Sequence, residues 1–241
     1  MPKAENKVSK LGSHETNIDP QEMLNAGLHF GHRVSSSHPK MKPYLFGVRN
    51  TVQIIDLEKS AEKLREALAF IKTLVEQDGV LLLVGTKVQT KKIIKETAQA
   101  CQLPFVSERW LGGTFTNFET IKKRVTHLKT LEKQKAEGDL EKYTKKERLK
   151  IAKEMADLEL RLGGIKDLEK LPEAIFVADM KKDGLAVKEA RAKGVKVVAI
   201  SDTNTDPSLV DYPIPANDDA TASVKYILDK VKETVLSVKT K

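Results

Sequence analysis

A histidine and two carboxylates can hold a divalent ion, and His32, Asp202 and Asp219 supply such a set in this chain. They belong to a wider group, because Asp179, Asp202, Asp206, Asp218 and Asp219 all lie after apolar runs of the kind that end buried strands. His29 is the alternative imidazole. In a doubly wound sheet the segments after the strand ends gather at one edge, where ligands tend to bind. The same residues also suit ordinary turn chemistry, with Asp202-Thr203-Asn204 and Asp206-Pro207 as turns and caps. On the residues alone both readings stay open, a divalent metal ion or no cofactor.

The second chemistry is polyanion binding. From Met23 through Ile55 there is no Asp or Glu, while Arg33, Lys40, Lys42 and Arg49 stand among His29, His32, His38, Phe30, Tyr44 and Phe46. Cations neutralise phosphates, and flat rings accept bases or ribose. Arg33, Lys40, Lys42, Tyr44 and Arg49 are therefore the expected nucleic-acid contacts, with Tyr44 and Phe46 divided between that surface and the core. A net charge of +8 over 241 residues agrees with an anionic partner. Arg109 and Trp110 could stack on a base, but Gly112 and Gly113 permit close packing, and Trp110 is expected as a wedge against the sheet.

Signals for catalysis are missing. Gly79 and Gly85 are too far apart for a phosphate loop, and Lys87 follows Thr86 instead of preceding a hydroxyl residue. There is no GxGxxG and no GxSxG elbow. Cys101, the only cysteine, rules out an internal disulfide and a multi-cysteine zinc site, and it reads as a small core residue. No run of about 18 apolar residues is present, so no membrane partner is expected. Residues 1–20 lack the apolar segment of a secretory signal and read as a solvated arm.

The elements that would position these groups alternate. Residues 60–76 carry Leu64, Leu68, Ile71 and Val75 at helical spacing. The run 80–84 is wholly apolar, as in a strand buried on both faces. A helix with Val88, Ile93, Ile94 and Ala98 facing inward follows, then a short strand at Phe105-Val106. After an interruption come a strand at 174–179, a helix at 184–192, a strand at 195–200, an extended piece at 212–215 and a last helix at 219–236. Repeated βα units predict an α/β fold with a doubly wound parallel sheet.

The interruption has its own character. Residues 119–161 hold 13 Lys or Arg and 9 Asp or Glu, with a thin apolar seam. Phe118, Ile121, Val125, Leu128 and Leu131 form one arm, and Ile151, Met155, Leu158 and Leu162 the other. Spacings of three and four predict an inserted α-helical coiled-coil hairpin. Capping boxes are expected at Thr116 with Glu119 and at Thr144 with Glu147. Gly112-Gly113 and Gly163-Gly164 are expected as hinges, and Lys122, Lys123 and Arg124 as further nucleic-acid contacts or a solvated helix face. The expected division is an arm at 1–20, a body at 21–115 and 162–236, the hairpin at 116–161 and a tail at 237–241.

Several segments together resemble the bacterial small-subunit ribosomal protein S-two family. They run from Met23-Leu24-Asn25-Ala26-Gly27-Leu28-His29-Phe30-Gly31-His32 and Pro39-Lys40-Met41-Lys42-Pro43-Tyr44-Leu45-Phe46-Gly47-Val48-Arg49-Asn50 through Val84-Gly85-Thr86-Lys87 and residues 109–114. They continue with Leu162-Gly163-Gly164-Ile165-Lys166-Asp167, Leu171-Pro172-Glu173-Ala174-Ile175-Phe176-Val177, Asp202-Thr203-Asn204 and Ile214-Pro215-Ala216-Asn217-Asp218-Asp219-Ala220. The resemblance implies a flavodoxin-like or Rossmann-like body with a coiled-coil insertion. It also implies a structural, non-enzymatic place on the cytoplasmic ribosome, bound to 16S ribosomal RNA near the head–body junction and beside the mRNA-binding protein S-one and other small-subunit proteins. An independent homo-oligomer is not expected. The rival readings are a free-standing nucleic-acid-binding regulator that dimerises through the hairpin, and a nucleotide-binding α/β enzyme.

Overall fold

Asp19 accepts a hydrogen bond from the Gln21 N–H and Pro20 presets the first turn, so α1 (Pro20–Asn25) begins almost at once in the computed structural model, which describes residues 18–239. Most of the expected N-terminal arm lies outside the described residues. Its last three do not behave as an arm, since Ile18 is buried in the core and Asp19 caps a helix.

The carboxylate-free window folds as a small antiparallel sheet. Strands β1 (Phe30–Arg33) and β2 (Leu45–Arg49) flank β3 (Val52–Ile55), giving the order β1-β3-β2. Asn50 and Thr51 join β2 to β3 with φ of 48° and 68°. Two successive positive φ values make the primed two-residue turn whose twist suits a hairpin. Thr51 is β-branched and strained there. Gly31 is needed on β1, because a Cβ would run into the Thr203 side chain and lie 3.1 Å from the Gln53 carbonyl oxygen.

Asp56 then caps α2 (Leu57–Glu76), accepting from the Glu58 and Lys59 N–H groups, and starts it three residues before the apolar periodicity suggested. The main sheet follows with β4 (Leu81–Val84), α3 (Val88–Cys101) and β5 (Phe105–Val106). Beyond the helical interruption come β6 (Ala174–Val177), α6 (Gly184–Ala192), β7 (Lys196–Ser201), β8 (Tyr212–Pro215) and α7 (Thr221–Lys239). All pairings are parallel, in the order β5-β4-β6-β7-β8. Counted along this sheet the order is second, first, third, fourth, fifth, consistent with a Rossmann-like doubly wound body. The extended piece at 212–215 is a full edge strand, where its two prolines are tolerated. The last helix runs three residues past its expected end.

The period of two in the strands divides the core into two layers. Leu81, Leu83, Phe176, Val198 and Ile200 pack with α2, α3 and α7, whereas Leu82, Val84, Ile175, Val177, Val197 and Ala199 face α6 and the root of the interruption. Cys101 is buried in the first layer, as expected. Val88 is not, being 81% exposed at the start of α3.

The interruption is a pair of packed helices, α4 (Phe118–Ala136) and α5 (Lys145–Leu162), joined through a 3-10 turn at Asp139–Lys142. On α4, Ile121, Val125, Leu128 and Leu131 are buried, and on α5 Ile151, Met155 and Leu158 are half-buried while Leu162 is buried. The Thr144–Glu147 capping box forms. The one at Thr116 does not, because Asn117 takes the cap position and its side chain makes no capping bond. Ile121, Val125 and Leu162 also belong to the second core layer, so the root of the pair is part of the body. Gly164 is a close-packing residue and not a hinge, since a Cβ would strike the Phe105 carbonyl oxygen of β5.

Candidate nucleic-acid interface

The small sheet sorts the basic residues by whether a carboxylate reaches them. Arg33 ends β1 and Arg49 ends β2, and both lie opposite Val52 on the central strand. Strand spacing then puts the two arginine backbones about 10 Å apart on one row. Lys42 stands on the 3-10 segment Pro39–Tyr44. All three side chains are exposed and make no ion pair among the described residues. Phe46 and Val48 on β2 are 81% and 59% exposed, and Phe30 on β1 is half exposed. Tyr44 is half-buried.

Lys40 departs from the expectation of a free cation. Its Nζ lies 2.7 Å from Asp206 Oδ2 and donates to Ser208 Oγ at 2.7 Å. The window lacks carboxylates in sequence but borrows Asp206 in space, from the loop after β7. The hydrogen bond from Lys40, with those from Ser208, holds the Asp206 carboxyl well below its ordinary range. The same loop anchors the sheet elsewhere: Thr203 Oγ1 accepts from the His32 N–H at 2.8 Å, and the Thr203 carbonyl from the His38 N–H at 2.8 Å.

Behind this sheet lie the strand-end acids. His32 Nδ1 is 3.2 Å from Asp202 Oδ1 and its Nε2 is 3.4 Å from Asp219 Oδ2. The three residues expected as metal ligands are therefore neighbours, but the ring bridges two carboxylates with both nitrogens. The hydrogen bond to Asp202 raises the His32 pKa against the opposing effect of burial. Lys87 occupies the middle of the other acids, with Nζ 3.0 Å from Asp179 Oδ2, 3.0 Å from Asp218 Oδ1 and 2.7 Å from Asp219 Oδ1. Burial opposes its charge, yet the hydrogen bonds to Asp219 and Asp218 prevail and hold its pKa well above the ordinary value. Asp218 is pushed up to about 7, first by burial and then by the charges of Asp179 and Asp202. An ammonium already supplies the neutralising charge that a divalent ion would bring. Among the described residues no group of three His, Cys, Asp or Glu converges in a way that could hold a metal ion.

The acids at the strand ends are thus engaged by the protein's own groups. Thr86 donates its N–H and Oγ1–H to the buried Asp183 carboxylate at 3.1 and 2.7 Å, and Lys87 is held by three aspartates. Lys87 was passed over in sequence because it failed the phosphate-loop pattern. Its place directly after β4 puts it at the same edge of the sheet as the acids that follow β6 and β8.

At the helical pair, Lys123 and Arg124 are exposed and without an ion pair among the described residues, whereas Lys122 Nζ donates to the Glu169 carbonyl at 3.3 Å. Trp110 is buried edge-on to Phe115, with ring centroids 5.0 Å apart, and is the wedge expected of it. The buried Glu189 of α6 went unread. Its carboxylate accepts N–H bonds from Gly113, Phe115 and Thr116 at 2.7, 2.9 and 3.2 Å, which pins the segment that leads into α4. Burial pushes its pKa up, but the three donors pull it below the ordinary value. A lone acid between Val187 and Ala190 on an apolar helix face was the available signal.

No helix of the described residues is long and apolar enough to cross a membrane. The family model described as ribosomal protein S2 matches residues 23–237.

Proposed function

The chain belongs to the ribosomal protein S2 family, a structural, non-enzymatic constituent of the small subunit of the cytoplasmic ribosome that serves translation, and from that premise we propose that the small antiparallel sheet is its ribosomal RNA contact. Arg33, Lys42 and Arg49 bind phosphates there and Phe46 offers a ring to a base or ribose, with Tyr44 supporting the edge of the contact. Lys123 and Arg124 add contacts at the root of the helical pair. The observation that carries this reading is the sorting of charge, since three cations beside an 81% exposed phenylalanine are left without carboxylates while Lys40 is given one.

The RNA is 16S ribosomal RNA near the head–body junction, residues 116–161 are a coiled-coil insertion, and the protein supports docking of the mRNA-binding protein S-one. A triple R33Q/K42Q/R49Q variant tests the RNA contact. Three phosphate contacts should make affinity fall roughly 20- to 40-fold between 50 and 200 mM salt. The variant should lose most of that slope while melting as the parent does. A parent protein with a flat salt response would remove the proposal.

A further inference from the structure

The far end of α5 carries a concentration of charge that the root contacts do not explain. Lys145, Lys146, Arg148, Lys150 and Lys153 are all exposed and make no ion pair among the described residues. Several other cations of the helical pair and its root are matched: Lys129 with Asp167, Lys133 with Glu137, Lys142 with Asp139, Arg161 with Asp157, and Lys166 with both Glu132 and Glu159, whereas Lys123, Arg124 and Lys135 make no ion pair among the described residues. The acids nearest the unmatched group are engaged otherwise. Glu147 is held in the Thr144 capping box, and Glu154 faces His127 at 3.1 Å.

Position makes this arrangement unfavourable for the helix itself. Lys145 and Lys146 open α5 and Arg148 completes its first turn. The N-terminus of a helix carries partial positive charge, so cations there are destabilising. The one acid of this turn, Glu147, stands against three cations, Lys145, Lys146 and Arg148. At about 100° per residue the cations spread over roughly 200° of the helix circumference, leaving free the arc of Ile151, Met155 and Leu158. Leu149, 67% exposed, is the one exposed large apolar side chain among them, and Tyr143 beside the cap is 37% exposed, with Lys142 Nζ 5.8 Å from its ring centroid. A protein partner needs a contiguous apolar patch with a polar rim. A phosphate backbone needs distributed cations and an occasional flat ring.

We propose that the end of α5, from Lys145 to Lys153 with Tyr143, is a second and separate RNA-backbone contact, reaching a segment of ribosomal RNA distant from the one held by the small sheet. It rests on the reading of the chain as a ribosomal RNA-binding protein. It deepens that reading by giving the helical pair a polyanion at its far end, whatever its root contacts.

The test is salt-dependent filter binding of the full chain to 16S ribosomal RNA, comparing the parent, a K145Q/K146Q/R148Q/K150Q/K153Q variant and the R33Q/K42Q/R49Q variant. Glutamine keeps helix propensity close to that of the residues replaced, and removing cations from the first turn should leave the melting temperature equal or higher. The α5 variant is expected to lose at least about two from the slope of log affinity against log salt, and about tenfold in affinity at 150 mM salt, with the sheet cations intact. A parent-like slope in that variant while the R33Q/K42Q/R49Q variant loses slope overturns the second contact and leaves the first standing. Loss of slope in the α5 variant alone overturns the assignment of the small sheet and supports the second contact. An α5 variant that binds RNA as the parent does but fails to join small subunits reconstituted with their proteins means a protein partner, and also overturns the proposal.

Discussion

Lys40 Nζ sits 2.7 Å from Asp206 Oδ2, across 166 residues of sequence. That contact converts a residue in the most basic part of the chain into an internal tie between the small sheet and the loop after β7. A cation so engaged has to break its pair before it can meet a phosphate.

The K40Q variant is therefore predicted to keep the salt slope of RNA binding within about 0.3 of the parent, well under the loss expected for one phosphate contact. Its effect should appear on Asp206, whose pKa ought to return toward the ordinary carboxylate range, readable by NMR titration. A depressed carboxyl contributes stability above its unfolded pKa and loses it as pH falls, so K40Q should also narrow the difference in stability between pH 5 and pH 2. A slope loss equal to that of K42Q would show that Lys40 leaves Asp206 for RNA.

The acid cluster behind the sheet predicts the opposite trend at higher pH. Asp218 has its folded pKa raised to about 7 from an ordinary 3.8. Between those values the folded protein holds a proton that the unfolded chain has released, so this contribution is full below about pH 4 and is lost as pH rises through 7. His32, also raised, acts in the same direction. Stability by denaturant melts should fall by about 2–3 kcal/mol from pH 5 to pH 8. D218N should flatten that limb. K87M, which leaves three aspartates without their ammonium, should be destabilised by about 3–5 kcal/mol at pH 8 and by less at pH 5. An unchanged limb in D218N would mean that another group titrates there.

Legibility in the sequence followed the range of the interactions. The main sheet was readable because Leu81–Val84 and Ala174–Val177 are apolar on both faces, and no competing local signal exists for such runs. The small sheet was not read, although five residues, two polar turn residues and four more residues form a hairpin pattern; the cations and prolines around it masked the alternation. Of the candidate RNA contacts, exposure at Arg33, Lys42 and Arg49 agrees with the expectation, and Lys40 departs from it because Asp206 arrives from a remote loop. Asp202 and Asp219 follow the strand-end rule, and His32 meets them from within β1, across the fold. What they do together depended on Lys87, which no spacing pattern connects to them.

The turn between β2 and β3 offers a check on strain. Thr51 holds a φ of 68°, a conformation disfavoured for a β-branched residue, whereas glycine adopts it without steric cost. T51G is predicted to raise stability by about 1 kcal/mol, as relief of strain exceeds the added entropy of the unfolded chain. RNA affinity should hardly change, because Arg33 and Arg49 keep their backbone register. A lower melting temperature for T51G would show that the Thr51 side chain makes a contact worth more than the strain.

The last prediction separates the far part of the helical pair from its root. Ile121 and Val125 on α4 are buried in the second core layer, Leu158 of α5 packs against it, and Glu189 pins the entry to α4 through three backbone N–H groups. Leu128 and Leu131 are buried too, but lie outside both core layers. Replacing residues 129–152 by a short Gly/Ser linker should therefore leave a cooperatively melting body, because closing a loop between neighbouring points costs little. Replacing 116–161 removes Ile121, Val125 and Leu158 from the core and should cost several kcal/mol, on the order of 2–5 for each large side chain lost. E189Q should fall between the two, weakening a charge-assisted set of bonds by about 1–3 kcal/mol without emptying the core. Calorimetry on the three variants decides the matter. Equal losses in the short and long replacements would mean that the far end also packs on the body. No loss in the long one would mean that the second layer closes without α4.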